Sequence, residues 1–533
     1  MKAETKTCQS CKNQFVIEPD DFDFYKKLAV PPPTFCWLCR AARRMSFRNE
    51  RALYKRTSSL SGTDIFSTYP AAAPFPVYTQ EEWWSDKWDP VDYGQEYDFS
   101  RPFFEQYLEL SKKVPRPAKS VITITNSDYS NNASYLKSCY LLFNSSYSED
   151  CAYGNGIDYS RDSFDNSHIQ KAEQVYQNFW LSSCNQVFFS AHCTDCVDVH
   201  FSKNLKNCSN CFGCVNLRGK SYCIWNGQYS KEEYEEKLKS FNLGSYKNLA
   251  QIREKAERFW LEFPNKHLEG LRNVDVSGGY ISNSKNVKKS YLVNGCENLK
   301  YCQYMQVPAS KDCYDYTTWG ENASLSYEIA MTGEGANVTK FCLQCYTNIH
   351  DMEYSEYSLT SSYLFGCISL RNKQYCILNK QYSKEEYEAL IPKIKKHMDD
   401  MPFTDKGGRV YRYGEFFPME FSAYAYNETL AQEHFPLTKE QVSTSGLRWQ
   451  EVEKKYHTVT LPHSEIPDDI RNIDDSILQQ VIGCLDEGSC NHGCTGAFRL
   501  ISQELAFYKK FNLALPRLCV NCRHYTRIAQ RNS

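Results

Sequence analysis

Two pairs of cysteines near the start of the chain have the spacing of a metal site. Cys8 and Cys11 form one Cys-x-x-Cys pair, and Cys36 and Cys39 form a second pair that begins 25 residues after Cys11. Each pair can form a knuckle that gives two thiolates to one tetrahedral ion, so we expect a closed four-sulfur site. Zn²⁺ suits tetrahedral thiolates and has no redox demands, and we therefore predict a structural zinc ion.

The last segment of the chain repeats this plan at a constant offset of 483 residues, with thirteen identical residues and no gap. The one departure is at Cys8, whose counterpart is Asn491, whereas Cys490 lies one residue further away. We therefore predict a second structural zinc ion, with Cys484 or His492 as alternatives to Cys490. The predicted ligands of this second site are Cys490, Cys494, Cys519 and Cys522.

The second knuckle of each module is expected to open a helix that carries arginines. Spacings of four, four and three residues separate Arg40, Arg44, Arg48 and Arg51, which places them along one exposed helix face. A basic helix held by a metal knuckle is a common way to bind phosphates. The predicted nucleic-acid contacts are Arg40, Arg44, Arg48, Arg523, Arg527 and Arg531.

Charge is segregated along the chain. The net charge is −2, yet residues 36–56 and residues 505–533 each have a local balance of +6. The two tips are therefore basic and the middle is acidic, which favours contact between the tips and a polyanion such as RNA or a ribonucleoprotein. The alternative is that these arginines pair with the acidic body of the protein itself.

The middle of the chain is internally repetitive. Residues 212–234 recur as residues 365–387 with 17 of 23 positions identical, so two related halves are expected. In the first half, small or β-branched residues recur at every twelfth position in three rows, which begin at Cys139, Ser145 and Ser148. Such a period is typical of stacked coils, in which each turn places one side chain above its predecessor. We predict a mainly β protein with few short helices, a two-lobed β-solenoid with 12 or 24 residues per coil.

The terminal modules resemble the probable zinc-ribbon domain family. The resemblance covers about 45 residues at each end and consists of the first cysteine pair, a Phe, a Phe-Tyr pair, a Pro and Cys-x-x-Cys-Arg. It implies a small treble-clef or zinc-ribbon module at each terminus and no catalytic role. Nearly the whole chain also resembles uncharacterised cysteine-rich proteins of candidate-phyla-radiation bacteria, through FGC, YCILN, YSKEEY and YNETLAQEHFPLT. That second resemblance implies an architecture only.

Composition and pattern divide the chain into seven expected segments. They are an N-terminal zinc module (1–56), an aromatic-rich wrapping segment (57–118), the first solenoid half (119–245), a linker helix (246–275), the second solenoid half (276–398), an irregular or helical segment (399–480) and a C-terminal zinc module (481–533). Capping boxes at Ser230 and Ser383 predict a short helix that closes each half. The rings between Trp83 and Tyr107 are expected to be buried against the solenoid, with stacking on bases or sugars as the alternative.

Other cysteines have spacings that a motif search would also find. Five in the first half match a third metal site, but the twelve-residue rows favour thiols stacked in the core. Those five are Cys193, Cys196, Cys208, Cys211 and Cys214. Cys342 and Cys345 have the spacing of a redox pair.

These observations lead to three functional hypotheses. The first is a zinc-binding scaffold whose basic modules contact nucleic acid, and the second is a protein-assembly scaffold with purely structural zinc. The third is a carbohydrate-type hydrolase with acids from neighbouring coils in a groove, for which Asp158, Asp162, Asp165 and Asp195 are the candidates. The sequence has no Walker loop, dinucleotide fingerprint, Gly-x-Ser-x-Gly elbow or His-Glu-x-x-His, so an enzyme is not favoured. A long apolar span and an apolar leader are both missing, so we expect a cytoplasmic protein without membrane contact.

Overall fold

The computed structural model describes residues 2–451, 458–490 and 493–531. Over these residues the protein is mainly β, as predicted, and most of its helices are short, apart from two of 16 and 17 residues. The helices are α1 (Pro19–Lys27), α2 (Trp37–Met45), α3 (Gln80–Trp84), α4 (Phe103–Ser111), α5 (Lys231–Lys239), α6 (Tyr246–Leu261), α7 (Lys384–Asp400), α8 (Leu430–His434), α9 (Lys439–Thr444), α10 (Ser502–Lys510) and α11 (Val520–Ile528). None of the helices in the described ranges combines the length and the apolar character needed to cross a bilayer.

The strands form two long parallel sheets and several two-stranded pairs. Those before the first long sheet are β1 (Glu4–Thr7), β2 (Gln14–Ile17), β3 (Tyr54–Thr57), β4 (Asp64–Ser67), β5 (Val77–Tyr78) and β6 (Arg116–Pro117). Solenoid 1 consists of β7 (Val121–Thr125), β8 (Asn131–Lys137), β9 (Tyr140–Glu149), β10 (Ala152–Asp158), β11 (Ser167–Glu173), β12 (Phe179–Phe188), β13 (Ala191–Thr194), β14 (Val197–His200), β15 (Ser209–Phe212), β16 (Ser221–Ile224) and β17 (Gly227–Gln228). Solenoid 2 consists of β18 (Gly270–Leu271), β19 (Val274–Ser282), β20 (Lys285–Asn294), β21 (Glu297–Lys300), β22 (Gln303–Met305), β23 (Lys311–Trp319), β24 (Ser324–Thr332), β25 (Asn337–Lys340), β26 (His350–Glu353), β27 (Ser362–Phe365), β28 (Gln374–Ile377) and β29 (Lys380–Gln381). The remaining strands are β30 (Phe403–Thr404), β31 (Val410–Tyr411), β32 (Ile482–Gly483) and β33 (Ala497–Phe498).

The chain divides into two compact units, and each unit joins one solenoid to the cysteine module from the opposite end of the sequence. Unit 1 comprises residues 1–119 and 266–450, and unit 2 comprises residues 120–265 and 451–532. The N-terminal module therefore belongs with solenoid 2, and the C-terminal module belongs with solenoid 1. This pairing was not among the expectations from sequence, which followed the linear order of the segments.

One coil of solenoid 1 is 12 residues long, which decides between the two predicted lengths. Paired residues on neighbouring parallel strands are twelve positions apart, as in the row Ile157, Ile169 and Leu181. A positive φ recurs at every third residue from Asn132 to Asn210, so each coil has four corners. In solenoid 2 the offset varies between 11 and 14 residues, which explains its looser sequence period.

The residue after each corner points into the solenoid, and cysteine occurs often at these inner positions because it is small. The thiol of Cys184 donates to the carbonyl of Ser182 at 3.3 Å. Ser160, in the same predicted row, makes the equivalent bond to the carbonyl of Asp158 at 2.8 Å. Thiols and hydroxyls at inner positions thus have the same role, which is to donate a hydrogen bond to a buried backbone carbonyl.

A fourth inner row, which the sequence analysis did not predict, is polar. Asn166, Asn178, Ser190 and Ser202 are each at most 1% exposed. The side chain of Asn166 accepts the backbone N–H of Asn178 at 3.0 Å, and Asn178 accepts that of Ser190 at 2.9 Å. The two Asn side chains of this row therefore accept hydrogen bonds from buried backbone N–H groups on the next coil. A search for small or β-branched residues could not detect it.

Helices and aromatic rings cover the solenoids in the way that the sequence suggests. Ser230 and Ser383 close capping boxes at the starts of α5 and α7. In unit 1 the ring of Phe103 packs 5.3 Å from Tyr354 and 5.2 Å from Phe365 of solenoid 2. The aromatic-rich segment is therefore largely a packing element.

Candidate metal centres

The four predicted ligands of the N-terminal module converge. Cys8 directly follows β1, Cys36 is the N-cap of α2, and Cys39 lies in the first turn of that helix. The Sγ atoms of Cys8, Cys11, Cys36 and Cys39 all lie within 4.8 Å of one another, with Cys11 and Cys36 3.7 Å apart. Zn–S bonds of about 2.3 Å in a tetrahedron place sulfurs roughly 3.8 Å apart, so this cluster fits one zinc-sized ion.

The C-terminal module has a second cluster of four buried cysteines, Cys484, Cys494, Cys519 and Cys522. The Sγ separations are 3.5 Å for Cys519 and Cys522, 3.8 Å for Cys494 and Cys519, and 3.9 Å for Cys484 and Cys522. These lengths match the edges of a tetrahedral zinc-thiolate site. The structure places Cys484 in this cluster of four, whereas Cys490, with its Sγ 3.6 Å from that of Cys522, converges with Asp486 and Cys522 in a separate group of three donors.

Cys484, one of the two alternatives considered from the sequence, is the structural counterpart of Cys8. The backbone N–H of Cys519 donates to the Sγ of Cys484 at 3.1 Å, and that of Cys36 donates to Cys8 at 3.2 Å. Ten positions separate Cys484 from Cys494, whereas three separate Cys8 from Cys11, so the constant offset fails across this longer turn. The other alternative, His492, lies outside the described residues.

Within each cluster one thiol is acidic, while the pKa values of neighbouring thiols are raised, at Cys36 and Cys39 in one cluster and at Cys484 and Cys522 in the other. Hydrogen bonds from Cys36 and Cys39 hold the pKa of Cys8 well below its usual value. Hydrogen bonds from Cys484 and Cys522 likewise lower the pKa of Cys519. Each cluster can therefore release protons in exchange for a cation.

The arginines after the N-terminal knuckle point into unit 1. Arg40 and Arg44 are at most 2% exposed, and both bind the buried carboxylate of Asp315. Arg40 donates to Asp315 Oδ2 through Nε at 3.0 Å and through Nη2 at 2.7 Å, and Arg44 Nη1 donates to Oδ1 at 3.0 Å. Arg43 on the same helix binds Glu328 at 2.7 Å and Glu415 at 3.1 Å. Three cations thus face three carboxylates in what we name clamp 1.

Unit 2 contains a related cluster, clamp 2, between α11 and solenoid 1. Arg527 Nη1 donates to Asp165 Oδ1 at 2.8 Å, and Arg523 Nη1 binds the other oxygen of the same carboxylate. Arg523 Nη1 also lies 3.0 Å from Glu504 Oε1. Arg523 and Arg527 are the counterparts of Arg40 and Arg44 at the constant offset, and Asp165 corresponds to Asp315. The same arrangement therefore occurs in both units.

The structure corrects the expected exposure of the arginines. Five of the six predicted phosphate contacts are at most 6% exposed, and the sixth, Arg531, is partly exposed. The five are Arg40, Arg44, Arg48, Arg523 and Arg527. Arg48 lies 2.5 Å from Glu50, and the other four form the clamps, as in the alternative of pairing with the acidic body. The predicted shared face holds for Arg40 and Arg44, but Arg48 and Arg51 lie beyond the end of α2 at Met45. The spacing also carries no information on whether that face is outward or inward.

The additional cysteine motifs are packing elements. Among the described residues, the five candidate ligands of a third site do not form a cluster of converging donors. Cys196 donates instead to the carbonyl of Thr194 at 3.2 Å, and Cys211 donates to that of Ser209 at 3.4 Å. Cys342 and Cys345 are fully buried and bind carbonyl oxygens in the same way.

The acids proposed for hydrolysis have separate environments. Asp165 is enclosed in clamp 2, and Asp158 accepts the backbone N–H of Ser146 at 2.9 Å. Burial raises the pKa of Asp158 to about 6. Asp162 and Asp195 occupy coil corners with positive φ, a conformation that Asp tolerates better than most residues.

Comparisons with known proteins add no assignment. No family model and no curated protein matches the chain. Among solved structures, it is similar to a protein from Desulfovibrio desulfuricans G20 described as a candidate acetyltransferase. The identity is 11%, the match covers 58% of this chain and 79% of that chain, and the TM-score is 0.11. A likeness at that score supports no conclusion on fold or function, and the two resemblances stated from the sequence stay predictions.

Proposed function

We propose that this protein is a zinc-stabilised scaffold, a binding protein whose two metal ions are structural. The observation that supports this is the direct succession of ligand and clamp residue in both modules. Cys39 is followed by Arg40, and Cys522 is followed by Arg523. A metal ion bound by either cysteine fixes the start of a helix, and the next residue then enters the buried clamp.

The donor sets suit a structural role. Four thiolates complete the tetrahedral coordination of Zn²⁺ and leave no position for a substrate. Zinc bound there would supply fixed geometry and a counter-charge for the thiolates. The protein's own residues, Asp315 and Asp165 above all, connect that fixed helix to a solenoid.

A row of exposed rings on solenoid 1 supports a partner-binding role. Tyr135, Tyr147 and Tyr159 stack with centroid separations of 4.7 Å and 4.8 Å. Each is about half exposed, at 47%, 49% and 53%. Stacked rings form a rigid, amphipathic surface, and tyrosine is enriched in protein interfaces. A protein partner is therefore the class of ligand that we favour for the scaffold.

Nucleic-acid binding stays a prediction, and it now lacks the side chains that were its main support. Guanidinium groups enclosed with carboxylates are not available to phosphates. A nucleic-acid surface would have to use other cations, such as Lys26 and Lys510, which are exposed. Filter binding of structured RNA across a salt series tests this, because phosphate-driven affinity falls steeply with salt.

The scaffold proposal predicts that the stability of the fold depends on the bound metal ions. We expect two zinc ions per chain by elemental analysis of the full-length protein. Removal of the metal with a thiol-reactive mercurial and a chelator should lower the thermal midpoint and expose buried arginine clamps to proteolysis. Zinc stoichiometry below two, or an unchanged midpoint after removal, would contradict the proposal. Strong salt-dependent RNA binding would favour the nucleic-acid hypothesis instead.

A further inference from the structure

The turn between β32 and β33 carries more metal-binding side chains than one zinc ion needs. In the N-terminal module, two residues separate the first two ligands, and neither of them is a Cys, His, Asp or Glu. In the C-terminal module the corresponding segment has nine residues, and Asp486 and Cys490 are among them. Both lie outside the cluster of four sulfurs. The longer turn therefore adds metal-binding groups that the N-terminal module does not have.

Asp486 and Cys490 form a second donor group together with Cys522. A carboxylate oxygen of Asp486 and the Sγ atoms of Cys490 and Cys522 all lie within 4.8 Å of one another. The two sulfurs are 3.6 Å apart. Zn–S bonds of about 2.3 Å in a tetrahedron place sulfurs roughly 3.8 Å apart. The sulfur pair therefore already has the separation of two ligands on one ion, and the carboxylate is a third donor beside it.

Cys522 is common to both donor groups. Within the cluster of four, its Sγ is 3.5 Å from that of Cys519 and 3.9 Å from that of Cys484. A thiolate sulfur has more than one lone pair, so it can bind two ions at once. Four thiolates also carry more negative charge than one divalent ion neutralises, and a second cation beside Cys522 reduces that excess. The shared sulfur is therefore suited to bridge the closed cluster and an adjoining ion.

The second donor group is open to solvent. Cys522 is buried, whereas Asp486 and Cys490 are partly exposed. The backbone N–H of Ser489 donates to the carbonyl of Asp486 at 2.7 Å, which keeps the turn between the two donors tight. Three protein donors leave one tetrahedral position for water or another exchangeable ligand. An ion in this group would therefore exchange more readily than an ion enclosed by four thiolates.

We propose that Asp486, Cys490 and Cys522 form an open site for an additional thiophilic divalent cation such as Zn²⁺, bridged through Cys522 to the ion of the closed cluster. Cys490 releases its thiol proton to solvent when its sulfur binds the cation. The open site fills and empties with the free concentration of the ion, while the two structural ions stay bound. It goes beyond the scaffold role, because it makes the C-terminal module responsive to free metal.

Equilibrium dialysis of the full-length protein against excess Zn²⁺, followed by elemental analysis, measures the open site. We expect three ions per chain at saturation and two after desalting, because the additional ion exchanges with solvent. Competition with a chromophoric zinc chelator should show that the additional ion binds about tenfold or more weakly than the other two. Saturation of the wild-type protein at two ions would overturn the proposal.

Substitutions in the turn distinguish the open site from adventitious binding elsewhere on the surface. Cys490→Ser should saturate at two ions and keep both after desalting, because it removes a ligand of the open site only. Asp486→Asn should weaken the additional ion about tenfold or more, because it removes the carboxylate. Glu487→Gln is the matched control and should still bind three ions, since Glu487 is an exposed neighbour outside the donor group. Three ions in Cys490→Ser, or fewer than two after desalting, would refute the site.

Co²⁺ added to the desalted, zinc-loaded protein gives an independent readout. A sulfur-bound Co²⁺ ion absorbs in the near ultraviolet through charge transfer from thiolate to metal, whereas Co²⁺ bound only by oxygen does not. We expect this band in the wild-type protein and in Glu487→Gln, and we expect its loss in Cys490→Ser. Absence of the band from the wild-type protein, or an equal band in Cys490→Ser, would contradict the open site.

Discussion

Arg40 binds the carboxylate of Asp315 through two hydrogen bonds, of 3.0 Å and 2.7 Å, across 275 positions of sequence. Both groups are buried, and Arg523 and Asp165 form the corresponding pair in unit 2. Each pair joins a helix that starts at a cysteine cluster to a strand or corner of a solenoid. In each unit, a buried ion pair therefore connects the helix that begins at the cysteine cluster to the solenoid.

Replacing Asp315 tests clamp 1. Asp315→Asn keeps the size of the side chain but leaves Arg40 and Arg44 without one of their two shared carboxylates. Loss of one partner from a buried ion pair costs about 3–5 kcal/mol, so we expect the thermal midpoint of unit 1 to fall by roughly 5–8 °C. Differential scanning calorimetry measures the shift.

The matched control for this change is Asp312→Asn. Asp312 lies three residues earlier and forms a surface pair with Lys27 at 3.3 Å. Pairs of that kind contribute about 0–1 kcal/mol, so the midpoint should move little. Equal effects of the two substitutions would contradict a special role for the clamp.

Much of the solenoid could be predicted from periodicity, because stacking imposes one residue type on every twelfth position. The rows through Cys139, Ser145 and Ser148 are inner rows in the structure, and parallel pairing at an offset of twelve confirms the coil. The row through Asn166 could not be predicted from hydrophobic periodicity, because its members are polar side chains. They are inner residues because they form hydrogen bonds with buried backbone groups. Recognising it requires the backbone geometry.

The solenoid against which each terminal cysteine module packs could not be predicted from the sequence. Asp165 and Asp315 occupy equivalent positions in the two repeats, so Arg40 and Arg523 match either one chemically. Helical spacing likewise could not reveal that these arginines face inward. The fourth ligand of the C-terminal site is the cysteine that follows β32, as Cys8 follows β1. The segment between β32 and β33 is longer than its N-terminal counterpart, so the constant offset pointed to Cys490 and not to Cys484.

Serine substitutions at these two cysteines distinguish the ligand sets. Cys484→Ser should reduce the zinc content from two ions per chain to one, because it removes one of four converging sulfurs. Cys490→Ser should keep two ions, since its sulfur lies outside the cluster. Elemental analysis after desalting measures both. The opposite pattern would restore Cys490 as the ligand.

A third prediction concerns the stacked thiols. Cys208 donates to the carbonyl of Lys206 at 3.3 Å, and the same row has serine at positions 148 and 160. Cys208→Ser should therefore change stability by less than about 1 kcal/mol and leave two zinc ions bound. Cys208→Leu adds volume to a filled interior and should destabilise by about 1–3 kcal/mol. Urea unfolding compares the two, and loss of zinc in the serine variant would instead indicate a third metal site.

The last prediction concerns pH. Burial raises the pKa of Asp158 to about 6, above the value of about 3.9 for an unfolded chain. Between these two pH values the folded state retains a proton that the unfolded state has lost, so the contribution of this carboxyl to stability falls as pH rises and is constant above pH 6.

Asp158→Asn removes this titration and can still accept the N–H of Ser146. Its stability relative to wild type should therefore increase by about 2–3 kcal/mol between pH 4 and pH 7. Chemical unfolding at several pH values measures the difference, and Asp195→Asn, at an exposed coil corner, should follow wild type. A constant difference between Asp158→Asn and wild type across this range would show that this half-buried carboxyl keeps its hydration in the folded state.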